Sequence, residues 1–93
     1  MIIGSCRLDL YFPGSNSLKD KRHILKSLIQ RTRAAFNVAI AEVEHHDDWR
    51  LATIAIVTVS NESSFSSQVI QGALRLIEKN PELELLEIQV EML

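Results

Sequence analysis

Ser17-Leu18-Lys19-Asp20-Lys21-Arg22-His23-Ile24-Leu25-Lys26-Ser27-Leu28, continuing to Phe36, is the stretch from which the fold can be read. The Ser17 hydroxyl can accept from the free N–H of Asp20, three residues on. Asp20 puts a carboxylate in the first turn, where it suits the helix dipole. Together they approximate a capping box with Asp in place of Glu. Leu18, Leu25, Leu28, Ile29, Thr32 and Phe36 then share one face at helical periodicity, so an amphipathic helix is expected from Leu18 to Ala35 or Phe36. This helix holds six of the ten Lys and Arg residues of a chain whose formal net charge is -2.

Upstream, Ile2, Gly4, Cys6, Leu8 and Leu10 alternate with Ile3, Ser5, Arg7, Asp9 and Tyr11, the period of a strand with one apolar face. Pro13-Gly14 ends it. Downstream, Asn37 suits a helix exit and Val38 to Glu44 reads as a second strand. His45-His46-Asp47-Asp48 is a polar turn. The run from Trp49 to Val59 is β-branched and almost continuously apolar, which predicts a central strand, covered on both faces more than an edge strand would be. Ser60-Asn61 offers a second cap. A helix is expected from about Glu62 to Lys79, with Phe65, Val69, Ala73, Leu76 and Ile77 facing inward. Gly72 costs about 1 kcal/mol there against Ala, so a close approach to a neighbouring element is expected to require it. Asn80-Pro81 ends the helix. Leu86, Ile88, Val90 and Met92 alternate with Glu87, Gln89 and Glu91 in a last strand.

The order β-α-β-β-α-β, folded with right-handed crossovers, is an α+β ferredoxin-like plait. It predicts a four-stranded antiparallel sheet with two helices on one face, in a single domain over residues 1–93. Ninety-three residues and a 46% hydrophobic fraction suit one globular core. The lone Cys6 cannot form an intramolecular disulfide, and no apolar run approaches the ~20 residues that span a bilayer. Residues 1–7 lack the basic and apolar regions of a signal peptide. A cytoplasmic protein with no membrane partner is expected. The net charge excludes a domain that is basic throughout, so any affinity for nucleic acid has to be local.

On a wheel of about 100° per residue, Lys19, Arg22, Lys26 and Arg33 lie within roughly 60° of one another, with His23 and Gln30 beside them. Cations at one-turn spacing can follow a phosphate backbone. The competing reading is a solvated face whose stems lie over the core edge. His45, His46, Asp47 and Asp48 carry metal-ligand chemistry, but neighbours on a tight turn rarely converge on one ion and no distant set completes a site, so no metal is expected. Trp49, the only tryptophan, and the strip containing Ala55 and Val57 on the open sheet face are candidates for a protein interface between copies. Aromatics for base stacking are missing from the strand centres, and Glu87 and Glu91 would repel phosphate there. No glycine-rich phosphate loop exists, and nothing would orient a base for Cys6, so neither an enzyme nor a cofactor is expected.

Ser17 to Arg22, Leu25-Lys26-Ser27-Leu28, Arg31-Thr32-Arg33, Phe36 to Val43, Asp47-Asp48-Trp49-Arg50 and Val59-Ser60 together resemble the YlxP-like family of small bacterial proteins. The match spans nearly the whole chain. Thr32 stands where Leu is common in that family, and Arg50 where Gln is common. The resemblance implies a ferredoxin-like fold, a cytosolic location and genes lying beside those for translation initiation and ribosome maturation. It implies no catalytic residues. The expected role is a non-enzymatic factor touching ribosomal RNA or a ribosome-associated protein through Lys19, Arg22, Lys26 and Arg33. The alternative is a homo-oligomeric interaction module using the open sheet face.

Overall fold

The N-terminal alternation forms strand β1 (Ile2–Tyr11) and the capped amphipathic stretch forms helix α1 (Leu18–Ala35) in the computed structural model, which describes residues 1–93. Strands β2 (Ala39–Glu44) and β3 (Leu51–Ser60), helix α2 (Ser63–Glu78) and strand β4 (Glu84–Met92) complete the expected order. The sheet runs β2-β3-β1-β4, with every neighbouring pair antiparallel. This is the ferredoxin-like plait. At the α1 cap, the Ser17 hydroxyl accepts from the Asp20 N–H at 3.0 Å. Asp20 in turn accepts from the Asn16 N–H at 3.0 Å, one residue earlier than a capping box would have it.

Register divides each strand into an inward and an outward set. Cys6 faces Ile56, Leu8 faces Ile54 and Leu10 faces Ala52 across β1 and β3, and all six are buried beneath the helices. Ile40, Phe12, Leu25, Leu28, Ile70, Ala73 and Ile77 close the same core. Burial pushes the Cys6 thiol up to about 11. The folded protein is therefore expected to resist thiol-alkylating reagents at neutral pH, and to react only once denatured. Mass spectrometry of both states checks this.

Three expectations change. β3 is central, but on the face away from the helices only Thr53, under Asp9 and His45, is buried. Ala52, Ile54 and Ile56 are buried, whereas Val57 is 39% and Val59 56% exposed. Both helices lie on one side of the plait, so the outward β-branched residues suit the pleated backbone and are not buried by a second layer. The third strand also starts later than expected, at Leu51. Asp48 Oδ1 accepts from the Arg50 N–H (2.9 Å) and the Leu51 N–H (3.1 Å), which extends the turn through Trp49 and Arg50. These backbone donors, led by Arg50, hold the Asp48 carboxyl below its ordinary value.

Helix α2 is rotated from the expected face. Ser66, Ile70, Gly72, Ala73, Leu74 and Ile77 are buried, and Phe65 is exposed. Small residues set this rotation by allowing close approach. A Cβ on Gly72 would lie 2.5 Å from Cε1 and 2.8 Å from Cζ of Phe36, so this glycine is where α2 meets the end of α1. Glu62, without a side-chain cap bond, occupies the α2 N-cap; the Ser60 hydroxyl braces the approach through Glu62 and Ser66.

Candidate nucleic-acid interface

Helix α1 packs against β2 and α2, while α2 lies over β1 and β3 and reaches β4. α1 therefore sits toward one edge of the sheet and shows a long outer flank. Lys19, Arg22, Lys26 and Arg33 all lie on that flank and are all exposed. None has a carboxylate partner; the two ion pairs of the molecule are Arg7–Glu44 and Lys21–Glu42. Arg22 and Lys26 form a ridge between two grooves. One, of about 600 Å³, also includes Gly14, Lys19, His23 and Glu82. The other, of about 360 Å³, includes Ile29, Gln30, Arg33 and Glu42. From Lys19 to Arg33 the stripe is about 21 Å long at 1.5 Å per residue.

Arg33 differs from the other three. Its Nη2 donates to the Ile40 carbonyl at 3.1 Å, hooking the outer edge of β2. It keeps its charge at the surface but is held in place, while the side chains of the other three make no hydrogen bond within the protein.

Lys21 is not on this flank. It is fully buried, on the same side of α1 as Leu25, Leu28 and Thr32. Its Nζ donates to Glu42 Oε2 (3.0 Å), the His45 carbonyl (2.7 Å) and the Leu51 carbonyl (3.0 Å). All three ammonium protons are used, and one of the three acceptors carries charge, which is what burial of a lysine demands. The bonds tie the first turns of α1 to both strands of the β2–β3 hairpin. Arg50 performs a similar task at the sheet's end: its Nε donates to the Ser15 carbonyl at 2.9 Å and its Nη2 to Asn16 Oδ1 at 3.4 Å. Together Lys21 and Arg50 set the angle at which α1 presents its flank.

The histidines of the turn make separate contacts. His45 has φ 65° and places Nδ1 3.0 Å from Thr53 Oγ1. The buried Thr53 hydroxyl donates to Asp9 Oδ1 at 2.7 Å, so His45 Nδ1 must be the donor of its own bond. His46 Nε2 donates to the Glu42 carbonyl at 3.2 Å. Each ring turns to its own partner.

The open sheet face has a different character. Glu87 stands opposite Asp9, and Arg7 reaches over Ala55 to pair with Glu44. Arg7, Asp9, Glu87 and Gln89 line a polar cleft of about 300 Å³. Beside it, Ala39, Ala41, Ala55 and Val57 form a shallow apolar depression of about 360 Å³ near Arg33. Trp49 is exposed in the β2–β3 turn. The structure does not join Trp49, Ala55 and Val57 into one patch: Trp49 lies in the turn before β3, while Ala55 and Val57 lie within the strand. No helix is long and apolar enough to cross a membrane.

Comparison with known proteins is consistent with this architecture. The family described as "Protein of unknown function (DUF503)" matches residues 3–90. The uncharacterized protein YlxP of Bacillus subtilis (strain 168) is 31% identical over 83 residues, covering 89% of this chain and 90% of that protein. Among solved structures, a de novo designed protein with ferredoxin fold, determined by solution NMR, aligns with a TM-score of 0.55 at 13% identity, over 98% of this chain and 86% of its own. The de novo designed protein Foldit4 aligns with a TM-score of 0.51 at 13% identity, over 99% of this chain and 94% of its own. At such identity these two likenesses speak for the fold alone.

Proposed function

From the premise that this chain belongs to the DUF503 family of unknown function, we propose that it is a non-enzymatic factor that holds the phosphate backbone of RNA on the outer flank of α1. The observation that carries this reading is the set of four exposed cations on one flank, none of them paired with a carboxylate. A solvated face would be expected to neutralise part of such a row locally. Two of the nearby acids are engaged elsewhere: Asp20 caps the helix and Glu42 pairs with Lys21. Glu82 lines the groove beside Lys19 and Arg22 without pairing with either, and Glu84, Glu87 and Glu91 lie along β4, at the sheet edge farthest from β2. The molecule is thus an electrostatic dipole despite its net charge of -2, and would steer a polyanion to α1 and away from the sheet.

The flank carries no Phe, Tyr or Trp on which bases could stack and only one imidazole, His23, so contact is chiefly through backbone charge and shape and is largely independent of sequence. Ribosomal RNA is the cytosolic polyanion that fits this chemistry together with the genomic setting implied by the family. Pelleting with ribosomal particles from cell extract tests the proposal. The protein should co-sediment at low salt and be released as salt rises. A protein that stays in the supernatant at every salt concentration counts against it.

A second reading has a narrower basis. The apolar depression at Ala39, Ala41, Ala55 and Val57 would suit a protein partner on the open sheet face. On that reading alone, a charge at Ala55 or Val57 would abolish self-association in light scattering, and self-association that survives it counts against the open face as the seam.

A further inference from the structure

The geometry points to the outer edge of β4 as the seam of a homodimer in which two β4 strands pair antiparallel about Val90. The two edges of the sheet are treated differently. β2 is six residues long, has a register irregularity between Glu42 and Glu44, and has its Ile40 carbonyl capped by Arg33. Those are the features by which an edge strand avoids pairing with another chain. β4 has nine residues, and its one irregularity lies before Glu87. From Glu87 to Leu93 it runs straight and bears no Lys, Arg or Pro.

Backbone parity fixes which groups of β4 are free. Ile3 and Leu93 exchange both backbone bonds, at 2.9 and 2.7 Å. In an antiparallel ladder such pairs recur at every second residue, so Glu87, Gln89, Glu91 and Leu93 bond inward to β1. The N–H and C=O groups of Ile88, Val90 and Met92 therefore point out from the edge. The side chains of these three lie on the helix side but remain 43%, 42% and 38% exposed, because α2 covers β1 and β3 more fully than β4.

Charge selects both the occupant and the register. A two-fold axis at Gln89 would place Glu87 opposite the partner's Glu91, twice. An axis at Ile88 would run the ladder into the irregularity before Glu87. With the axis at Val90, Ile88 faces the partner's Met92, Val90 faces the partner's Val90, and Gln89 faces the partner's Glu91, an amide beside a carboxylate. Every outward backbone group of Ile88, Val90 and Met92 then has a partner, and the six apolar side chains close into one cluster on the helix side. The occupant is a second copy because the strand is self-complementary in this register. The result is an eight-stranded sheet with the two α1 flanks at its far ends, so the dimer does not depend on the RNA-binding reading.

Sedimentation velocity on the full chain at high micromolar concentration tests this, alongside amide hydrogen exchange. A dimer is expected, with the Ile88, Val90 and Met92 amides gaining protection as concentration rises. Val90→Lys places two ammonium groups against each other at the axis and should give a monomer with unchanged circular dichroism, whereas Val57→Lys on the open face should stay dimeric. Added salt should leave association intact or strengthen it, since Glu87 and Glu91 of both copies crowd the open face of the seam. A wild-type monomer, a Val90→Lys variant that stays dimeric, a dimer with those three amides unprotected, or a dimer dispersed by salt would each overturn the proposal.

Discussion

Replacing Lys21 by Met will lower the stability of the fold by about 3–5 kcal/mol, the range for breaking a buried ion pair from one side. Met matches the lysine stem in volume, so packing is nearly conserved and the loss is polar. Glu42 is left with its side chain only 15% exposed and no cation, and the His45 and Leu51 carbonyls lose their buried donor. In a domain of this size each kcal/mol moves Tm by roughly 4–8 °C, so the change is large in a thermal melt. Combining Lys21→Met with Glu42→Leu should recover part of the loss, because the unpaired charge is removed with its partner. A Tm within a few degrees of wild type for the single variant would mean that Lys21 does not anchor the hairpin.

Reversing charge at Arg22 and Lys26 together carries the largest expected effect on binding. These residues form the ridge between the two grooves, are exposed, and make no hydrogen bond within the protein that their loss would break. Fold stability should therefore stay within about 0.5 kcal/mol of wild type. Each phosphate contact contributes a salt slope of roughly -0.7 to -0.9, so losing two lowers affinity about 15- to 30-fold at physiological ionic strength before repulsion by the new carboxylates is counted. Fluorescence anisotropy with a structured RNA measures this. Arg31→Glu, on α1 but off the stripe, should bind nearly as wild type. Equal losses from both variants would point to net charge and not to the stripe.

The fold was legible because its signals were local and agreed with one another. Ser17 and Asp20 announced α1, the alternation of β1 set its inward face, and Asn80-Pro81 closed α2. The candidate flank was also legible, because helical spacing alone places Lys19, Arg22, Lys26 and Arg33 together. Less visible was what sits beneath. Lys21, Leu25, Leu28 and Thr32 follow the spacing of the buried face of α1, so the pattern held a sign that Lys21 points inward. Glu42 gives the matching sign, two residues after the buried Ile40 on β2. Each looks ordinary alone; only the tertiary approach of α1 to the hairpin makes them a pair. The rotation of α2 was hidden for a related reason. Apolar periodicity favoured Phe65, but the close approach of Gly72 to Phe36 decides which face turns inward. Arg50 carried no local signal at all, since its partners Ser15 and Asn16 lie 35 and 34 residues away in sequence.

If α1 holds RNA through its phosphates, as proposed, wild-type binding must depend on salt in a defined way. With three to four contacts along the flank, log Kobs plotted against log salt should fall with a slope between about -2 and -4, and RNAs of similar length and structure but different sequence should share it. Absence of binding at low salt, or binding whose affinity does not change with salt, would contradict the account.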